Sequence, residues 1–193
     1  YKNTTGKQNV AIGALSLYNN ETGNYNIAIG RSSLYSNTAS NNVGIGHESL
    51  KSNTTGTYNV SLGTTALREV TTGSRNISVG ASSMENNTEG SNNVAIGNGA
   101  GLKNTTGTGN IFLGNESGNN DNYQTASNKL VIANSNTTTP LIDGDFSAST
   151  LNINGALTAT SVAAGDVSST EFGYLDGVTS SVQTQLDAKA TSV

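Results

Sequence analysis

A five-residue phrase returns seven times in this chain. It reads Asn9-Val10-Ala11-Ile12-Gly13, then starts again at Asn26, Asn42, Asn59, Asn76, Asn93 and Asn110, closing each time on glycine (Gly13, Gly30, Gly46, Gly63, Gly80, Gly97, Gly114). The closing glycines lie 17 residues apart, except for one step of 16. Self-similarity at such a fixed period is the signature of a stacked repeat, in which each unit buries its face against the next. A second phrase alternates with the first, as in Leu50-Lys51-Ser52-Asn53-Thr54-Thr55-Gly56 and Leu102-Lys103-Asn104-Thr105-Thr106-Gly107. In the shortened repeat Ser40 stands where a glycine is expected, so that turn should differ.

Within each phrase apolar and small residues alternate, the period of a β-strand. The second and fourth positions are Val, Ile or Leu and share one face. The third is Ala, Ala, Gly, Ser, Ser, Ala and finally Phe112. The terminal glycine suits a turn of positive φ. A coil of 17 residues therefore holds two short strands and two turns, with Leu17, Leu34, Leu50, Leu67 and Met84 filling from the second strand. The fold class that follows is all-β: a parallel β-solenoid whose coils stack at about 4.8 Å, so that seven make a rod of roughly 35 Å. The recurring Asn at the first position stacks as a ladder of amides. The seven Asn and seven Gly are structural residues; no catalytic, cofactor-binding or metal-binding residue is assigned.

Composition agrees with a thin, polar coil. Only 33% of the chain is hydrophobic and 11% charged, against about 45–50% and 25% in ordinary globular chains. Two or three aliphatic side chains per coil weigh little against an ordering cost of about 1–2 kcal/mol per residue. A single roll is expected to be marginal, and the face of small residues offers the remedy: three rolls packing there as a homotrimer. Net charge is −4 with nine scattered Lys and Arg, which argues against a nucleic-acid groove. There is no Cys, which removes disulfides and thiolate chemistry. No apolar run is long enough to cross a bilayer as a helix, and the chain reads as a piece of a longer protein.

The repeated Asn-Val-Ala-Ile-Gly units with intervening Asn-Thr-Thr-Gly turns resemble the head repeats of YadA-like trimeric autotransporter adhesins, over about residues 3–118. The resemblance implies a left-handed β-roll, a tight homotrimer and an extracellular place on a bacterial surface, bound to a host or matrix receptor. Residues 166–178 more weakly resemble linkers of phage tail fibres, which makes the shaft of such a fibre the alternative reading. A third, a polysaccharide-active solenoid, lacks the clustered carboxylates and bases such sites need.

The expected organisation is head repeats over 1–127, a β-rich connector over 128–160, a neck over 161–178 and the start of a trimeric coiled coil over 179–193. The connector holds Asn128-Lys129-Leu130-Val131-Ile132-Ala133 as a strand sealing the roll, then strands near Leu141–Phe146 and Leu151–Leu157, with Pro140 in the loop between. Leu175, Val178, Val182 and Leu186, spaced three, four and four, form a helical stripe, with a capping box at Ser180 and Gln183. Several side chains invite a site reading and are better explained as surface. His47 is the sole histidine and follows a turn. Asp143 and Asp145, like Asp121, lack the further ligands a calcium loop needs. Gly97-Asn98-Gly99-Ala100-Gly101 is not followed by the Lys of a phosphate loop. The sequons at Asn3, Asn53 and Asn104 follow from composition. Threonine pairs such as Thr54-Thr55 sit at turns rather than on a flat ice-binding face, and Tyr18, Tyr25, Tyr35 and Tyr58 pack at corners.

Overall fold

The computed structural model describes residues 2–158 and Thr184. The chain divides into a unit of Tyr1–Gly155 and a second of Ala156–Val193. The neck, the capping box at Ser180 and Gln183, and the coiled-coil start lie outside the described residues, Thr184 excepted. Ten strands of the first unit form one sheet in chain order. Seven three-residue strands come from the repeats: β1 Val10–Ile12, β2 Ile27–Ile29, β3 Val43–Ile45, β4 Val60–Leu62, β5 Ile77–Val79, β6 Val94–Ile96 and β7 Ile111–Leu113. All pair in parallel with no slip, Val10 against Ile27 and so on to Ile96 against Leu113. This is the expected solenoid.

Each coil holds one strand rather than two. The stretch around Leu17 is built of turns in which alternate residues take left-handed backbone: Leu15 and Leu17 at φ 62 and 48, Ser32 and Leu34 at 56 and 52. The stacking hydrogen bonds persist, with Leu17 N donating to Ser33 O at 3.0 Å and Leu34 N to Ser49 O at 2.9 Å. The cost of left-handed backbone in non-glycine residues is thus met by a bond to the next coil and by burial, since Leu17, Leu34, Leu50, Leu67 and Met84 form the core.

The closing glycines do two jobs. Their φ values run from 110 to 147, and a Cβ on Gly46 would stand 2.3 Å from the carbonyl oxygen of Gly63 in the next coil. Only a residue without a side chain allows backbone to stack on backbone there. In the shortened coil the residue in the other glycine column is Ala39, not Ser40. Asn26 Nδ2 donates to Ala39 O at 2.8 Å, just as Asn42 Nδ2 donates to Gly56 O. Ser40 instead accepts from Asn24 N, the role Ser74 plays for Thr57. The missing residue is therefore the second of the Thr pair, leaving Thr38 alone between Asn37 and Ala39.

After β7 a 3-10 turn at Asp121–Tyr123 leads to β8 Lys129–Ile132, parallel to β7. Strands β9 Ile142–Asp145 and β10 Thr150–Ile153 then add antiparallel. The strand at 128–133 continues the roll, Val131 entering the core. The connector strands extend the same sheet as the repeats. Pro140 lies in the loop before β9, its carbonyl accepting from Asn154 Nδ2 at 2.6 Å.

Candidate functional site

Two faces of the strands decide what this protein presents. The third residue of each phrase points into the coil: Ala28, Ser61, Ser78, Ala95 and Phe112 are fully buried within one chain. The aliphatic second and fourth residues point outward, with Val10 43%, Ile12 58% and Ile96 45% exposed. This reverses the sequence expectation, which put the small residues at a trimer seam. The reason is width. The Leu column fills the narrow interior and reaches the strand, Leu34 Cγ lying 3.2 Å from where a Cβ on Gly44 would be. No room remains for two β-branched side chains per coil, so they go outside.

One pair of substitutions in the sequence carried this information. Where the third residue becomes Phe112, the Leu column turns to glycine at Gly101 and Gly118. A Cβ on either would meet the Phe112 ring at 2.7 and 2.2 Å. Bulk has moved from one wall of the coil to the other, which is possible only if both walls face the same interior. The ring is closed in by Tyr123, edge to face at 5.9 Å.

The outward aliphatics make two parallel rails. One runs Val10, Ile27, Val43, Val60, Ile77, Val94, Ile111; the other Ile12, Ile29, Ile45, Leu62, Val79, Ile96, Leu113. The connector prolongs both. Leu130 and Ile132 stand opposite Ile111 and Leu113. Gly144 and Ile142 follow on β9, then Leu151 and Ile153 on β10. The change from parallel to antiparallel pairing does not disturb which side chains face out. Beside the second rail, Leu113, Ile132 and Leu141 border an open groove of about 520 Å³.

The first-position asparagines form the ladder expected of them, with their partners now explicit. From Asn26 to Asn110, each Oδ1 accepts from the backbone N–H one coil on: Asn42 N reaches Asn26 Oδ1 and Lys129 N reaches Asn110 Oδ1, at 3.0 and 2.9 Å. Each Nδ2 donates to a turn carbonyl of the next coil, as Asn59 does to Gly73 and Asn93 to Gly107. Asn9 does both at the first coil. Both halves of a buried amide are thereby satisfied, which is what burial demands.

A second amide column, Asn20, Asn37, Asn53, Asn87 and Asn104, is interrupted by Val70. Asn37 donates back to Asn20 and Asn53 back to Asn37, whereas Asn87 donates forward to Asn104. The carbonyls Asn53 Oδ1 and Asn87 Oδ1, on either side of Val70, are buried without a partner. Sequon residues Asn53 and Asn104 are fully buried in this column, so their amides are closed to modification in the folded chain; Asn3 is exposed.

The remaining candidates are surface or structural groups. His47 is exposed and lies 3.3 Å from Arg31 Nη1. Arg68 sits among Glu48, Glu69 and Glu85, a solvent-screened ladder of small energetic weight; with Lys51 beside it, Glu48 is held below its usual pKa. Asp121 pairs with Lys103. Asp143 accepts from Tyr123 Oη at 3.0 Å, and burial together with that carboxylate raises the phenol pKa. Lys129 and the turn amides of Ala148 and Ser147 hold Asp145 down at about 2. Both aspartates are thus spoken for, and among the described residues no group of three metal-ligating side chains occurs. Gly97 to Gly101 is a turn against the next coil. Thr54, Thr71 and Thr88 give their hydroxyl protons to carbonyls one coil on. Tyr18 and Tyr35 stack at 5.4 Å, while Tyr25 and Tyr58 are more than half exposed. Against protein-family models, curated proteins and solved structures alike, the chain finds no match.

Proposed function

We propose that this chain is a structural, adhesive segment of a trimeric extracellular fibre, which attaches its bearer to a host cell, matrix or other surface without catalysis. The observation that carries the reading is the aliphatic face, uninterrupted by charge over ten strands. A stable partner contributes about 800 Å² to an interface. A half-exposed aliphatic side chain leaves on the order of 50 Å² of apolar surface, by the energy and area scale of its full burial. Of the nineteen aliphatic rail residues eight are 36–59% exposed and the others less, so the face offers an area approaching what one partner supplies. The occupant that fits a periodic face of this pitch is the same face of two further copies, and the trimer seam lies on the aliphatic rails.

Three copies would present the polar turns outward in repeated array, where weak contacts to a protein or glycan receptor add as avidity. A tail-fibre shaft would use the same assembly. The test is light scattering of the native chain and of Ile45→Asp, with β-sheet content followed by circular dichroism. The native chain should give three times the chain mass and the variant one, at equal β content. A native monomer would refute the reading.

A further inference from the structure

Resting on the trimer reading, we infer that the connector, and not the repeats, fixes the axial register of the three chains, by seating Phe146 of one copy in a notch over Gly144 of the next. The rails repeat at every coil. Sliding one chain by a coil keeps nine levels opposed, ten less one, so the repeats themselves discriminate poorly between registers. A periodic interface needs an aperiodic element to select one alignment, as a single unlike residue does in a coiled coil.

The connector supplies it. On β9 the outward residues are Ile142 and Gly144, with Phe146 directly after the strand. At Gly144 the first rail loses its side chain, and over this buried glycine lies a notch of about 320 Å³ walled by Leu130, Leu151 and Phe146 on its apolar side and by Asp145, Ser149 and Thr150 on its polar side. Phe146 stands at the margin of the face, its backbone N–H bonded to Asn128 O at 2.8 Å, and the residue is 53% exposed. Marginal ring and central notch lie at the same level, so three copies in register satisfy one another cyclically. A copy displaced by one coil sets its ring against an occupied level of the rail. Buried aromatics in such pockets dominate interface energetics.

The chain has no native Cys, so Ile77→Cys reports register by disulfide formation, which requires closely apposed Cα atoms. In the otherwise native chain the 77–77 cross-link should form. Adding Phe146→Ser, or separately Gly144→Leu, should weaken that cross-link and let Ile77→Cys also join Val94→Cys in a co-folded mixture, with the trimer mass retained. Undiminished 77–77 cross-linking in both variants would overturn the inference. So would dissociation of the trimer, which would assign Phe146 to affinity instead. A monomeric parent would sink the trimer reading itself, a result distinct from either.

Discussion

Val70 interrupts a column of buried amides, and its replacement by Asn should stabilise the roll. The native chain leaves Asn53 Oδ1 and Asn87 Oδ1 buried and unpaired on either side of it. Each such carbonyl costs about 1–3 kcal/mol. An Asn at position 70 in the pose of its neighbours gives one amide hydrogen to Asn53 Oδ1 and the other to Gly73 O, as Asn53 does to Asn37 Oδ1 and Gly56 O. Its carbonyl then accepts from Asn87, whose amide turns over and brings its own oxygen to Gly90 N, as Asn3 Oδ1 faces Gly6 N at 2.9 Å. Against this stands the lost apolar burial of a valine that is fully enclosed, about 1.5–2 kcal/mol. Taking both carbonyls near the middle of that range, the balance is a gain of about 2 kcal/mol, equivalent to a rise in Tm of roughly 4–8 °C for a unit of this size. Urea unfolding should show a higher midpoint at unchanged slope. Val70→Ala, which removes bulk and supplies no donor, should lose about 2 kcal/mol. If Val70→Asn proves less stable than the native chain, the unpaired carbonyls are not the liability argued here.

Three other outcomes follow from the same structure. Phe112→Ala should cost about 3–5 kcal/mol by emptying the seventh coil. Adding Gly101→Leu should restore a large part, because Leu already occupies left-handed backbone in that column; simple additivity in a double-mutant cycle would refute the exchange of bulk. Asp145 has a folded pKa of about 2 against an ordinary 3.8. Its contribution is therefore complete above about pH 4 and lost as pH falls through about 2. Urea midpoints should fall over that window in the native chain, and fall less in Asp145→Asn. Finally, Ile45→Asp should separate the copies without unfolding the roll, as scattering and circular dichroism together will report.

The repeat, its parallel stacking, the glycine corners, the Leu core and the Asn ladder were all legible in the residues, because each depends on a position recurring in phase. Periodicity fixes which side chains share a face. It leaves open which face is inside, since alternation is equally consistent with either. That choice belongs to the width of the coil: the turn-built Leu wall approaches so close that only Ala, Ser or Gly fits opposite, and the β-branched residues are turned out. Single-copy features behave likewise. Ala39 rather than Ser40 took the glycine column because hydrogen-bond register, invisible along the chain, decided where the deletion fell. The continuation of both rails through β8, β9 and β10 needed strand pairing to be seen, for the repeat ends at Gly114 while the sheet does not. What the residues alone determined is a periodic winding; the packing of one wall against the other determined the surface it offers.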